Sequence, residues 1–361
     1  MKSNVSLAGH DNNFNLLRVL AAFAMLYSHS YALTDGKGAG EPFRVLLDMS
    51  LGGIAVDIFF VISGFLVCGS LLRRQSAKDF LKGRFYRVFP ALLVMVTLTV
   101  LLLGPLLTRL PLAEYFSNKD VFKYFYKNAT LLGGVTYKLP GVFENNPYPL
   151  AVNGSLWTLP EELRMYGYLL ALWLLLGLLR ERRLPAFRGA VLAVCAVATG
   201  MRLLEIARGG EEEATLRLLS MFFAGASFQI AARRVPLDWR IFLGLLGGLS
   251  VAAAVDSRAF AAVFVLALPY MVLFLAYVPG GSIRAYNRAG DYSYGLYLYA
   301  FPIQQALAAL VPGISLWSMV ALATLGALLC AVASWHGVEK PSLALVRAKP
   351  LRLDSSAQTV A

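Results

Sequence analysis

The chain has 361 residues, of which 58% are hydrophobic and 15% charged, and its mean hydropathy is +0.62. About a quarter of the residues in a soluble domain are charged, so this composition excludes a soluble globular protein and indicates a polytopic helical membrane protein. The net charge of +12 does not indicate nucleic-acid binding, because the basic residues lie in short loops between apolar segments. Anionic lipid and an anionic cytoplasmic ligand fit that charge better.

Apolar segments of spanning length recur along the chain, so we expect an all-α membrane bundle of about ten transmembrane helices. The seventh and eighth segments are the least distinct, since only Asp256 to Arg258 separates them. The segments lie near 14–34, 51–72, 86–107, 155–179, 187–207, 214–232, 240–255, 258–278, 291–311 and 315–337.

The distribution of Lys and Arg predicts the orientation of the bundle. Segments on the side of the N-terminus hold 21 of them and the opposite loops hold 11, so both termini should be cytoplasmic. The acidic run Glu211 to Glu213 then lies outside. We expect one integral-membrane domain over residues 1–345 and a short cytoplasmic tail over 346–361. The three cysteines lie in separate apolar segments, so neither a disulfide framework nor a metal site is predicted.

The first segment carries Arg18 at one end and His29 near the other. Ionisable groups inside a spanning helix are costly and usually functional. Eleven residues separate the two, or about 16 Å along a helix, so they should lie toward opposite membrane faces. The alternatives are an arginine that reaches the headgroups and a neutral imidazole hydrogen-bonded within the bundle.

The second segment contains Asp57, a candidate functional carboxylate that could instead pair with an arginine. The pair Ser63-Gly64 is typical of close helix packing. Arg84 and Arg87 then lie three residues apart at the start of the third segment, so both project from nearly the same helix face. They suit a phosphate-bearing ligand, although an anchor on the cytoplasmic side explains them equally well.

The long outer loop at 105–154 includes Lys119, Lys123 and Lys127, which share one helix face beside aromatic residues. This pattern predicts either an interfacial helix or a cap over the bundle. In the fourth segment, Glu161 and Glu162 follow Pro160 within the membrane. We expect Glu162 to lie about 10 Å deep, near His29, where the carboxylate and the imidazole would form a base and its orienting partner.

The ninth segment begins with Asp291 and contains Pro302, which should kink the helix and free backbone carbonyls toward an interior cavity. Its four tyrosines are more than an interfacial belt needs, so some of them should line a polar interior. Gln304 and Gln305 should be buried.

Together these motifs resemble the acyltransferase-three family of integral-membrane O-acyltransferases, over nearly the whole chain. That family has an arginine followed eleven positions later by a histidine in its first helix, an Arg-x-x-Arg pair and a closing Val-Glu-Lys-Pro. In this chain Tyr299 and Ala300 replace the family's Trp-His, so a role for a histidine there is absent. The matching positions are Arg18 and His29, Ala55 to Leu66, Arg84 and Arg87, Ser155 to Glu162 with Tyr166, Ser293 to Pro302, and Val338 to Pro341.

The resemblance implies transfer of an acyl group, usually acetyl, from cytoplasmic acyl-CoA to a carbohydrate hydroxyl at the outer face of the bacterial cell inner membrane. The variant motifs look most like members that modify exopolysaccharide or lipopolysaccharide. Acetyl-CoA is then a co-substrate and no cofactor is bound permanently. The expected partners are acyl-CoA, a carbohydrate acceptor that can be lipid-linked, and membrane lipids.

Three groups of site residues follow from the motifs and the resemblance. Catalytic roles are expected for His29, Glu162 and Asp57, coenzyme A binding for Arg84, Arg87 and Arg18, and substrate binding for Trp157, Tyr166, Ser63, Tyr297 and Gln304.

A function of another class fits part of the same pattern. A transporter or flippase of a lipid-linked sugar would use the buried histidine and glutamate as a proton relay. A non-enzymatic scaffold explains the charges within the membrane poorly. Formation of a labelled acetyl ester distinguishes the enzyme from the transporter.

Overall fold

The computed structural model describes residues 12–210 and 212–347, and these residues form a bundle of α-helices. In that part of the chain the helices, numbered in chain order, are α1 (Phe14–Asp35), α2 (Pro42–Leu47), α3 (Leu51–Arg74), α4 (Ala77–Leu98), α5 (Gly104–Leu107), α6 (Leu112–Ser117), α7 (Lys119–Thr130), α8 (Thr158–Leu175), α9 (Arg183–Arg208), α10 (Ala214–Ile230), α11 (Trp239–Val255), α12 (Ser257–Tyr277), α13 (Ser293–Leu310), α14 (Leu316–Ser334) and α15 (Lys340–Arg347).

Six helical stretches of the described chain are long and apolar enough to cross a membrane, so the protein is an integral membrane protein. Each of the ten predicted segments coincides with a helix, but α10 and α11 are shorter apolar helices, and the count of ten stays a prediction. The six stretches are Phe14–Asp35, Leu51–Arg74, Ala77–Leu107, Gly154–Arg208, Ser257–Tyr277 and Leu316–Val346.

The stretch Gly154–Arg208 is broken at Arg180, whose φ of 46° and ψ of −108° are not helical. This break divides it into α8 and α9, as the sequence predicts. The sidedness of the termini stays a prediction. Lys2, Glu211 and most of the predicted tail, at 348–361, lie outside the described residues.

The ends of the two central helices follow from local chemistry. α1 ends at Gly36, whose φ of 79° is left-handed and whose N–H bonds to the carbonyl of Ala32. α3 begins after Ser50, whose hydroxyl accepts the N–H of Gly53 at 2.9 Å. These two ends define the polar loop that connects α1 to α3.

Two glycines let α3 and α10 pack with their backbones in contact. A methyl group on Gly64 would lie 1.8 Å from the carbonyl oxygen of Phe222, and one on Gly225 would lie 2.0 Å from that of Val61. Neither backbone oxygen can move aside like a side chain. The close packing predicted for Ser63-Gly64 is therefore present.

Gly64→Ala is expected to destabilise the protein by about 1–3 kcal/mol, because overpacking at a helix contact forces the backbones apart. The measurement is the thermal midpoint of the purified protein in detergent. Gly167→Ala is the matched control, since Gly167 is also helical and has nothing within 4 Å of an added methyl group. An unchanged midpoint for Gly64→Ala would contradict the contact.

The predicted helix in the long loop is α7. It buries Tyr124 and leaves Phe122 and Tyr126 65% and 56% exposed beside the lysines. Exposed rings next to exposed cations are typical of a helix in the headgroup layer, which favours the interfacial alternative over a cap.

Candidate active site

Two adjoining cavities lie inside the bundle, with volumes of about 730 and 970 Å³ including their open mouths. We call the first the arginine cavity because Arg18, Arg84 and Arg87 line it, and the second the histidine cavity because His29 lines it. Both are lined by Met25, Val56 and Thr158. We call these three residues the neck.

The three predicted coenzyme A ligands converge on the arginine cavity from α1 and α4. Arg87 lies 2.7 Å from the carboxylate of Asp291, and Arg18 lies 3.3 Å from the same oxygen. A second carboxylate, Glu339, lies 4.0 Å from Arg87. Asp291 therefore holds two guanidinium groups side by side and offsets their mutual repulsion.

Arg84 is held differently from its neighbour. Its guanidinium lies over the ring of Tyr166, 5.6 Å from the centroid, and it forms no ion pair with any residue of the described chain. Its full charge thus stays available to a ligand, in a half-buried position where solvent screening is reduced.

Glu162 also lines the arginine cavity. Its carboxylate accepts hydrogen bonds from the hydroxyl of Ser63, at 3.3 Å, and from the hydroxyl of Tyr166. The neighbouring Glu161 points elsewhere and pairs with Arg164. The structure therefore brings together three predicted site residues, Glu162, Ser63 and Tyr166, and it does so in the arginine cavity.

The predicted pairing of Glu162 with His29 does not match this arrangement, since the two line different cavities. His29 lies four residues past Met25 on α1, and Glu162 lies four residues past Thr158 on α8. The two helices run in opposite directions from the neck, so each residue is about 6 Å beyond it on its own side. These rises give an axial separation of about 12 Å, and the pairing of the two residues stays a prediction.

In the histidine cavity, the ring of His29 packs edge-on against Phe301, with 5.2 Å between centroids. A carboxylate that the sequence reasoning missed, Glu41, lines the same cavity. It is 2% exposed and accepts hydrogen bonds from the hydroxyl of Ser28 at 3.0 Å and the N–H of Leu51 at 2.5 Å. The only sequence signal was an acidic residue in the short loop after the first helix.

Asp57 is fully buried and lines neither cavity. Its carboxylate lies 3.2 Å from Nε of Arg217, which does line the histidine cavity. The structure thus places Asp57 behind an arginine rather than against a substrate, which is the alternative that the sequence left open. Arg217 was missed, although it is a charge inside a predicted spanning segment.

The predicted substrate-binding residues divide in the same way. Ser63, Tyr166 and Tyr297 line the arginine cavity, and Trp157 lines the histidine cavity. Tyr297 also shares a hydrogen bond of 2.8 Å with Thr158 in the neck.

Gln304 lies outside the lining of both cavities. It is fully buried and donates to the carbonyl of Leu26 at 2.8 Å and the hydroxyl of Ser30 at 2.7 Å. These bonds join α13 to α1, so the structure gives Gln304 a packing role in place of the predicted substrate contact.

Comparison with known proteins identifies the kind of chemistry. Residues 11–336 match the acyltransferase domain of the acyltransferase-3 family. The chain belongs to this family. The protein is therefore a membrane acyltransferase, and its relatives indicate the O-acetyltransferase class.

Two relatives of this acyltransferase-3 protein match it almost end to end. The O-acetyl transferase of Shigella phage Sf6 is 29% identical over 91% of this chain and 95% of its own length. Nodulation protein 10 of Rhizobium leguminosarum bv. viciae is 28% identical over 95% of this chain and 96% of its own. No solved structure matches the chain.

Proposed function

We propose that this membrane acyltransferase moves an acetyl group from cytoplasmic acetyl-CoA to a carbohydrate hydroxyl at the outer face of a bacterial inner membrane, in exopolysaccharide or lipopolysaccharide modification. The observation that carries the proposal is the pair of adjoining cavities, one rich in arginine and the other containing His29. The name of the phage relative supports acetyl as the transferred group.

The arginine cavity is the proposed donor site. Arg18 and Arg87 share Asp291, and Arg87 also lies 4.0 Å from Glu339, whereas Arg84 forms no ion pair in the described chain. Arg84 is therefore the guanidinium group that is most available to a ligand. Planar guanidinium groups bind phosphate oxygens in a bidentate manner, which suits the phosphates of coenzyme A. The excess of Lys and Arg in the loops near this end supports a cytoplasmic opening.

The chemistry is proposed to take place near the neck, on the side of His29. The acceptor hydroxyl oxygen attacks the thioester carbonyl carbon, the new C–O bond forms, and the C–S bond breaks to release coenzyme A as its thiolate. His29 takes the proton of the hydroxyl as a general base and returns it to the leaving sulfur. The products are an acetyl ester and free coenzyme A.

Glu162 is proposed to act on the donor side. Its carboxylate, with Ser63 and Tyr166, faces the cavity where the pantetheine arm would lie, and it can accept a hydrogen bond from an amide of that arm. The histidine cavity has a buried carboxylate of its own in Glu41.

Transfer across the neck is tested with purified protein in sealed vesicles of known orientation. Labelled acetyl-CoA on the arginine-cavity side and an oligosaccharide on the other side are expected to give labelled ester outside. Donor and acceptor exchanged between the two sides should give none. Movement of the unmodified sugar without ester formation would instead indicate a transporter and would contradict the proposed function.

A further inference from the structure

Arg217 on α10 is not used by the proposed chemistry, although it lines the histidine cavity. Its side chain is 12% exposed and is held on two sides, with Nε 3.2 Å from Asp57 and Nη1 2.6 Å from Glu212. A guanidinium group fixed by two carboxylates presents its remaining N–H groups in a set direction. Such preorganisation favours binding of a planar anion.

Two further cations line this cavity, and so do two carboxylates, Glu41 and Glu212. Lys37 and Arg44 line it, are exposed, and form no ion pair within the described chain. The carboxylates of the lining are already engaged. Glu41 bonds to Ser28 and to the N–H of Leu51.

Glu212 is the second acidic residue of this lining, and it pairs with both Arg202 and Arg217. The cavity that receives the acceptor thus has unsatisfied positive charge at its rim and a fixed guanidinium group deeper inside.

We infer that the acceptor carries an anionic group, a uronic acid carboxylate or a phosphate, which Arg217 binds inside the histidine cavity and Lys37 and Arg44 attract at its rim. The inference rests on the proposed function, which assigns this cavity to the acceptor. Asp57 is then a positioning residue, because it acts through Arg217. The competing interpretation is that Arg217 serves only as a link in a buried series of ion pairs.

The test uses the full-length protein in detergent and two matched acceptors, a tetrasaccharide of glucuronic acid and its carboxyl-reduced, neutral counterpart. A third acceptor, the neutral tetrasaccharide joined to polyprenyl diphosphate, distinguishes a phosphate from a uronate. A charge-assisted hydrogen bond should raise kcat/KM for at least one anionic acceptor about 10- to 100-fold over the neutral sugar. Equal kcat/KM for all three acceptors would overturn the inference.

Arg44→Gln and Lys37→Gln are the main variants, because their exposed side chains can be replaced without disturbing the fold. Each should raise the acceptor KM for the anionic sugar more than that for the neutral sugar, so the preference for the anionic acceptor should fall. Arg258→Gln is the control with the same charge change, since Arg258 lies at the same end, beside Gly209, and lines neither cavity. An equal effect of Arg258→Gln would mean that only long-range charge matters, against the inference.

Arg217 itself is tested with Asp57→Asn and Arg217→Gln combined, which avoids an unpaired buried carboxylate. The double variant should lose the preference for the anionic acceptor, measured as the ratio of kcat/KM for the anionic and the neutral sugar. If a folded double variant kept the preference, the inference would be overturned, and Arg217 would serve only as a link in the buried series of ion pairs.

A binding experiment separates this inference from the proposed function. Calorimetry measures the affinity for the glucuronate tetrasaccharide in the absence of acetyl-CoA. Binding that weakens in Arg44→Gln supports an anion site even if no ester forms, in which case only the transfer reaction is wrong. Acetyl transfer with equal binding of neutral and anionic sugars would contradict the anion site and leave the proposed function in place.

Discussion

His29→Ala is expected to lower the rate of acetyl transfer by about 10²- to 10⁴-fold, the usual effect of removing a general base. The KM for acetyl-CoA should change little, because His29 and the proposed donor site line different cavities. Initial rates with labelled acetyl-CoA and saturating acceptor measure both quantities. A folded His29→Ala protein with full activity would remove the base assignment.

The matched control is His336→Ala. His336 is exposed near the opposite end of the bundle, where Nε2 lies 3.4 Å from the hydroxyl of Tyr292. Its loss should leave the rate nearly unchanged. Labelled protein isolated after incubation with acetyl-CoA and no acceptor would show a covalent acetyl-histidine if His29 acts as a nucleophile. Labelling that persists in His29→Ala would place that intermediate on another residue.

Replacing Arg84 and Arg87 together by lysine is expected to raise the KM for acetyl-CoA about 10- to 100-fold, with a smaller change in kcat. Lysine keeps the positive charge but loses the planar fork that binds two phosphate oxygens at once. The measurement is a full kinetic series in acetyl-CoA, with membrane insertion checked by protease protection.

Arg84→Lys alone is the cleaner variant, because it leaves the ion pairs of Arg87 with Asp291 and Glu339 intact. The control is Arg73→Lys with Arg74→Lys, an exposed pair at the end of α3 outside both cavities. If every kinetic constant stayed the same in the Arg84 and Arg87 variants, only an anchoring role would remain for them.

The sequence predicted that the polar groups of separate motifs face the interior of the bundle, but not that Glu162 lines the same cavity as the arginines. Arg18, Ser63, Arg87 and Glu162 lie on four helices, and all four line the arginine cavity. The physical reason is that polar groups within apolar segments must face the bundle interior, where other polar groups can satisfy them. The close approach at Gly64 was also predictable, since a small residue in such a helix indicates packing.

The relative height of groups on antiparallel helices could not be predicted in the same way. Depth can be counted only from the presumed start of each helix, and a shift of one turn, about 5 Å, on each of two helices decides whether His29 and Glu162 lie at the same height. The roles of Glu41 and Arg217 depend on contacts between distant segments, such as the bond from Leu51 to Glu41. No local pattern contains that information.

Met25 and Val56, the apolar members of the neck, are 4% and 5% exposed. We propose that the two cavities open toward opposite membrane faces, and a continuous file of water between them would then dissipate the transmembrane proton gradient. A narrow apolar constriction prevents this because it does not hold a continuous file of water. The proposed function requires the same constriction to admit a thin, uncharged acyl arm, so we expect catalysis and electrical insulation of the membrane to depend on the same two side chains.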